Sequence, residues 1–198
     1  MTSRKVVLHI VESYGAGTQL ALGSYVRSTP ELEHHLLRRE RAGERSDTSD
    51  SPTFVTEHAL GSNARAISQI RALVRKLDPD IVHLHSSYAG AFGRVAIPRR
   101  WRTKVVYTPH CYSFERQDLS AGTRLGVRTV EWVLARRTDV VAACSPREAK
   151  LALELRPRMA VEYVPNLASV PSFSERMATN DPGIVAVGRL TAQKQPEL

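Results

Sequence analysis

The residues with chemical potential in this sequence gather where apolar runs end. Tyr14-Gly15-Ala16-Gly17-Thr18 closes one apolar run and opens an amphipathic one. Small residues at such a junction let backbone amides approach a phosphate at a helix N-terminus, although a plain tight turn needs the same residues. The pattern is not a full dinucleotide fingerprint: Leu20 stands at the third glycine position, and no acidic residue clearly ends the following strand. In DIVHLHSSY, His83 and His85 alternate and so share one face of a strand. A metal would need further ligands there, and no carboxylate or cysteine spacing supplies them, so no metal is expected. The reading instead is a packed, hydrogen-bonded His83, with His85 near the ligand-facing end. His110 follows VVYTP, where a strand exits through proline. Its imidazole would donate to a ligand, act as a base, or remain a loop residue without a role. Asn166, after Val164-Pro165, is a turn former or a polar contact at the same rim. Gly188-Arg189 with Lys194 offers a donor fork and a point charge suited to a diphosphate, or two solvated basic residues.

These residues need a scaffold that brings strand ends together. Residues 5–11 (KVVLHIV) read as a strand buried on both faces, followed by a helix at 18–27 with Leu20, Ala21, Tyr25 and Val26 inward. Further strands are expected at 33–38, 54–56, 81–85, 104–108, 139–143 and 161–164. Helices are expected at 63–77, 90–97, 125–136 and from Ser145 onward. The helix at 63–77 carries Ile67, Ile70, Leu73, Val74 and Leu77 on one face and stops at Asp78-Pro79. Ser145-Pro146-Arg147-Glu148 has the cap, the first-turn proline and the carboxylate of a capping box. Strands alternating with helices, without hairpin turns, imply a doubly wound parallel α/β sheet. Ligands in such sheets bind beyond the carboxyl ends of the strands. Residues 39–52 are charged and Ser/Asp-rich, hence a loop, and 167–182 read as a linker before a new strand at 183–187.

The length of 198 residues suits one domain, or one domain with a fragment of another. A formal charge of +8 and a pI near 9.9 favour acidic partners, or reflect an arginine-rich composition with solvated basic faces. Nucleic acid is not expected, because basic and aromatic residues do not interleave. Cys111 and Cys144 make no disulfide framework and read as reduced packing residues in a cytosolic setting. The apolar run at the N-terminus is short and holds His9, so it reads as a strand rather than a signal peptide. No apolar run is long enough to cross a bilayer.

Six segments, in order, carry a resemblance: HIVESYGAGTQLAL, PDIVHLHSSYAG, VVYTPHCYSFER, DVVAACSPREAKLAL, VPN and VAVGRLTAQKQPEL. Together they resemble the N-terminal half of a retaining glycosyltransferase of the GT-B fold, family 4 type. The resemblance implies two Rossmann-like domains across a cleft, the first holding the acceptor and the second most of a nucleotide-sugar donor. Ala16-Gly17 match the family's Gly-Gly turn with one glycine replaced, His110 matches its cleft histidine, and Arg189 and Lys194 match its diphosphate pair. Gln195 stands where the family usually has glycine. The resemblance therefore implies catalysis at His110 and donor-phosphate contacts at Gly17, Arg189 and Lys194, with Ala16, His85 and Asn166 on the acceptor or cleft side.

Such an enzyme transfers sugar with retention, without cofactor or required metal, the diphosphate charge being offset by basic side chains and helix N-termini. The implied partners are a nucleotide sugar and a cell-envelope, lipid-linked or small-molecule acceptor. A cytoplasmic location with peripheral contact at an anionic inner membrane face goes with them, and nucleic acid does not. Another GT-B enzyme, such as a nucleotide-sugar epimerase, or a non-catalytic nucleotide-binding or interaction module, are the alternatives. The expected organisation is an acceptor-side domain over 1–166, a linker over 167–182, and a truncated donor-binding domain beginning at 183–198. The family's paired glutamates lie beyond that point. Alone, this polypeptide is expected to bind nucleotide sugars weakly and not turn them over.

Overall fold

Parallel strands cannot be joined by tight hairpins, so each crossover needs a helix or a long connection. The computed structural model describes residues 4–40 and 52–166. Its strands are β1 (Val6–Tyr14), β2 (Glu33–Glu40), β3 (Thr56–Ala59), β4 (Ile81–His85), β5 (Lys104–Thr108), β6 (Val140–Ala143) and β7 (Ala160–Tyr163). They form one seven-stranded sheet in the order β3-β2-β1-β4-β5-β6-β7, parallel at every pairing. Five α-helices accompany them: α1 (Ala16–Ser28), α2 (Asn63–Leu77), α3 (Ser87–Ala96), α4 (Ala121–Leu134) and α5 (Pro146–Leu155). Strand order reverses between β1 and β4, which makes the crevice beyond their carboxyl ends the switch point of the fold. This is the doubly wound, Rossmann-like sheet that the alternation implied. The expected linker and the strand at 183–187 lie outside the described residues.

Local signals explain most boundaries. α2 runs over its expected residues, and Asp78 ends it in the left-handed region (φ 43°), its N–H bonded to Val74 O. Asp tolerates that conformation better than most residues, and Pro79 forbids another helical turn. Three expectations need correction. Leu20 is 59% exposed while Leu22 is fully buried; residues two apart on a helix point about 200° apart, so only one of them can face the sheet. β3 begins at Thr56, because Phe54 packs in a small cluster with Val11, Tyr14, Leu22 and Leu36 instead of joining the ladder. α4 starts at Ala121, capped by the Ser120 hydroxyl, which accepts from Thr123 N, and it ends at Leu134 in a 3-10 turn, Ala135–Arg137. Gly122 and Gly126, weak helix formers, hide that early start. Among the described residues no helix is long and apolar enough to cross a membrane.

The two faces of the sheet differ in chemistry. One carries Leu8, Ile10, Val82, Leu84, Val105 and Tyr107 against α2, α3 and α5. The other, under α1, carries His9, His83 and His85 beside Leu22 and Tyr25. On the apolar face one ion pair is wholly enclosed. Arg94 Nη2 donates to Glu131 Oε2 at 2.8 Å and Arg94 Nε to Gly90 O at 2.8 Å. Tyr107 Oη donates to Glu131 Oε1 at 3.0 Å, and the guanidinium lies 4.2 Å from the Tyr107 ring centre. Gly90 is required at this contact, since a Cβ there would sit 2.4 Å from the Tyr107 ring.

The pair ties α3, α4 and β5 together, and removing one partner strands a buried charge. Glu131→Ala is expected to lower the unfolding free energy by about 3–5 kcal/mol, read from urea midpoints at constant m-value. A loss below about 1 kcal/mol, the range of an ordinary surface substitution, would show that the network carries no structural load.

Candidate functional site

Backbone strain marks the rim at the carboxyl ends of the central strands. Ser86, His110 and Cys111 all have positive φ (72°, 50° and 80°), directly after β4 and β5. Such conformations cost of order 1–3 kcal/mol each for residues other than glycine and persist only where neighbours impose them. Here the neighbours are visible. Ser86 N donates to Thr108 O at 3.0 Å, and Ser86 Oγ donates to Glu12 Oε2 at 3.2 Å. The buried Glu148 carboxylate accepts from Cys111 N with one oxygen and from Cys144 N at 2.8 Å with the other. Ser145 caps α5 as its sequence suggests, accepting from Glu148 N at 3.2 Å. The Glu148 carboxylate departs from the capping-box expectation: it reaches Cys144 and crosses to the β5 loop, fixing the ends of β5 and β6 together. Gly15, at φ 153°, occupies a backbone region that glycine alone adopts freely, at the entry to α1.

Behind this rim lies a row of imidazoles. On adjacent strands the register pairs Val7 with His34, His9 with His83, Val11 with His85, and His85 with Thr108. Stepping from β2 to β1, β4 and the end of β5, each strand therefore places a histidine two residues further along, on one face. The rings meet edge to edge in a continuous series. Thr29 O lies 3.0 Å from His34 Nε2, and His34 Nδ1 lies 3.0 Å from His9 Nε2. His9 Nδ1 lies 3.3 Å from His85 Nε2, and His85 Nδ1 lies 3.2 Å from His110 Nε2. His110 Nδ1 ends the series, 3.5 Å from Cys144 Sγ. His83 stands beside the row, its Nε2 bonded to Thr108 Oγ1 at 2.8 Å.

Burial decides the charge of these groups. It pushes His110 down to about 4 and, with His110 as a neighbour, His83 down to about 3. Burial first and neighbouring imidazoles second hold His9 and His85 well below the ordinary histidine range. Burial first, then the Glu148 carboxylate, raises the Cys144 thiol to about 11. The pair at the rim is thus a neutral imidazole and a thiol, not the thiolate–imidazolium of a cysteine nucleophile. Tyr25, under α1, has its phenol raised by burial and then by Cys144. Thr108 and Cys144 stand beside its hydroxyl, although neither makes a well-aligned hydrogen bond to it.

The expected site residues divide clearly. His85 and His110 are in direct contact, and Asn166 stands near the Cys144 thiol. His85, expected at the cleft, is fully buried and is linked to the rim through His110. Gly17 sits in the first turn of α1 above β1, where an added Cβ would meet nothing within 4 Å. Ala16 opens the same helix. Arg189 and Lys194 lie outside the described residues. His9, His83 and His85 bring three ligand atoms within 4.8 Å of one another, a set invisible to local spacing because His9 is on another strand. An ion there would have to break the His9–His85 bond, so hydrogen bonding already uses what coordination would need. Cys144, Glu148, Ser86, His9 and His34 were all missed as supports of His110. The polar residue at alternate positions of an apolar strand was the available signal for His9.

Two outcomes are expected. A histidine held below its unfolded value of about 6.5 leaves the unfolded chain with more bound protons, so stability is full above about pH 6.5. It is lost progressively as pH falls toward the folded values of about 4 and 3 for His110 and His83. Urea midpoints should fall between about pH 6.5 and 5, and a flat profile there would contradict the buried neutral row. Dialysis against a chelator should leave the thermal midpoint unchanged; a midpoint raised by added zinc would assign His9, His83 and His85 to a metal.

With this geometry in view, the comparisons are informative. The profile of Glycosyltransferase Family 4 matches residues 26–168. A Klebsiella pneumoniae protein described as uncharacterized, in the cps region, is 27% identical over 156 residues, covering 75% of this chain and 42% of its own. Among solved structures, S. aureus MnaA with UDP superposes with a TM-score of 0.57 at 12% identity, covering 76% of this chain and 42% of that one. Neisseria meningitidis UDP-GlcNAc 2-epimerase bound to UDP-GlcNAc gives 0.56 at 11%, covering 79% and 45%. Acinetobacter baumannii MurG gives 0.50 at 12%, covering 85% and 47%. These structures share the fold of one GT-B half, and the chain spans about half the length of the relatives it matches. The chain belongs to Glycosyltransferase Family 4.

Proposed function

We propose that this domain is the acceptor-side half of a retaining glycosyltransferase that uses a nucleotide-sugar donor. One observation carries the reading: of the linked imidazoles, only His110 reaches the surface, and it does so on strained backbone at the carboxyl end of a central strand. Relatives of the fold crystallised with UDP and UDP-GlcNAc support a nucleotide-sugar partner. In the reaction, an acceptor oxygen bonds to the anomeric carbon as the bond from that carbon to the diphosphate breaks. The nucleoside diphosphate leaves with the electron pair from the face that the acceptor approaches, and the acceptor hydroxyl's proton passes to the departing phosphate oxygen. His110, neutral, orients that hydroxyl by accepting its hydrogen bond. The α1 N-terminus at Gly17, with Arg189 and Lys194 from beyond the described residues, offsets the charge growing on the diphosphate. Asn166 stands on the acceptor side of the same cleft.

The acceptor-side reading extends to the membrane. α4 exposes Leu125, Trp132 and Val133 beside Arg124, Arg128 and Arg136, a mixture suited to the face of an anionic bilayer. This supports peripheral work at a cytoplasmic membrane surface on a lipid-linked or cell-envelope acceptor. An epimerase is the second reading, favoured by the epimerases among the structural neighbours.

Isotope-labelled donor separates the two readings: acceptor-dependent transfer supports the first, and epimerisation of the free nucleotide sugar supports the second. In the enzyme that carries this domain, His110→Ala should lower kcat by about 100-fold or more, with nucleotide affinity unchanged. An unaltered kcat and KM would make His110 structural only.

A further inference from the structure

We infer that the main-chain carbonyl of Thr29 fixes the tautomer of His110 across four strands of the sheet, through His34, His9 and His85. Given the reading of His110 as the group that meets the acceptor hydroxyl, those three histidines are positioning residues for it. The inference follows from hydrogen-bond bookkeeping. A neutral imidazole has one N–H donor and one bare nitrogen acceptor. Each of the four rings uses both nitrogens along the series, and His34 Nε2 also lies 3.2 Å from the Thr29 hydroxyl. One fixed end therefore fixes every member.

The fixed end is at Thr29. A carbonyl can only accept, so His34 Nε2, 3.0 Å away, must carry its hydrogen. The nearby Thr29 hydroxyl cannot reverse this, because it donates to Tyr25 O at 2.8 Å. His34 Nδ1 is then bare and accepts from His9 Nε2–H; His9 Nδ1 accepts from His85 Nε2–H; His85 Nδ1 accepts from His110 Nε2–H. His110 emerges with its hydrogen turned inward and Nδ1 bare at the rim. The thiol at the far end is compatible with this direction, since Cys144 S–H can donate to the bare nitrogen, weakly. The opposite direction would set the lone pair of His34 Nε2 against that of the Thr29 carbonyl at 3.0 Å. Every buried nitrogen in the row is satisfied in one direction only.

The function follows from the exposed edge. The lone pair of Nδ1 meets only the long, weak Cys144 S–H contact at 3.5 Å, which a stronger donor displaces, so His110 selects a ligand group that donates, such as a sugar or lipid hydroxyl. It discriminates against an ionised phosphate oxygen, which could only bring a second lone pair.

Long-range proton–nitrogen correlation spectra of the histidine-labelled 198-residue chain at pH 8, above the ordinary histidine range, read each tautomer directly. His34, His9, His85 and His110 should all carry hydrogen on Nε2, and any of them protonated at Nδ1 instead would overturn the inference. His34→Phe removes the acceptor that His9 needs, and it should populate the Nδ1–H form of His110. An unchanged His110 in that folded variant refutes the relay. Cys144→Ala, at the other end, should leave all four tautomers as they are; a reversal would give control to the thiol. The wild-type and Cys144→Ala spectra decide the matter even if His34→Phe does not fold. No substrate enters these measurements, so they stand or fall separately from transfer: correct tautomers with full turnover in His110→Ala would sink only the proposed function.

Discussion

A buried polar group must find a partner, and on one face of this sheet that requirement falls on a row of imidazoles. Their partners are one another. Such a row exists only because parallel register places histidines on successive strands two residues apart along one face. A slip of one residue in any strand would send its histidine to the apolar side and leave two nitrogens without partners. Each unsatisfied buried group costs about 1–3 kcal/mol. The row therefore specifies register as strongly as the leucines and valines opposite it do, and it does so with chemistry that ends at the surface.

The opposite face carries the packing, which leaves the imidazole face free to be polar. There α3 approaches β5 closely enough that Gly90 and Tyr107 touch, and the enclosed Arg94–Glu131 pair locks α4 to both. Support of that kind lets the rim hold three residues in left-handed conformations. Glu148 links the two tasks. As part of the α5 start it belongs to the scaffold, and through its bonds to the Cys111 and Cys144 amides it holds the loop that presents His110. Strain at a loop and rigidity in its foundation are complementary here, since the first persists only by virtue of the second.

Local features of the sequence were legible, and relations between distant strands were not. α2, β4 and β5 fall on their expected residues because hydrophobic period, Asp78-Pro79 and short apolar runs are all local signals. The start of α4 was obscured by two glycines, and on α1 Ala21 and Val26 are buried as expected while Leu22, not Leu20, is the buried leucine. His83 and His85 were legible as a same-face pair, and His110 as a strand-exit residue. What joins them to His9 and His34 is strand order, and no spacing along the chain states that residue 34 lies beside 9 and 9 beside 85. The glycine turn shows the same limit in reverse. Gly17 drew notice as the family's matching position, yet the demanding torsion falls on Gly15.

The neutrality of the row bears on how labour is divided in the proposed enzyme. Leaving diphosphate needs positive charge near the bond that breaks, and the imidazoles nearest the rim cannot supply it: burial keeps His110, His85 and His9 uncharged at neutral pH. Within the described residues the N-terminus of α1, like those of α3 and α5, brings to this rim a partial charge of order half a unit. That is too little for a diphosphate. In the proposed enzyme the remainder comes from basic side chains, the role proposed for Arg189 and Lys194. A half that orients a hydroxyl with a neutral ring and a half that neutralises an anion are then two different electrostatic environments. In the proposed enzyme, separate domains let each be built without compromising the other: burial holds the imidazoles neutral on this one, while basic side chains elsewhere meet the anion.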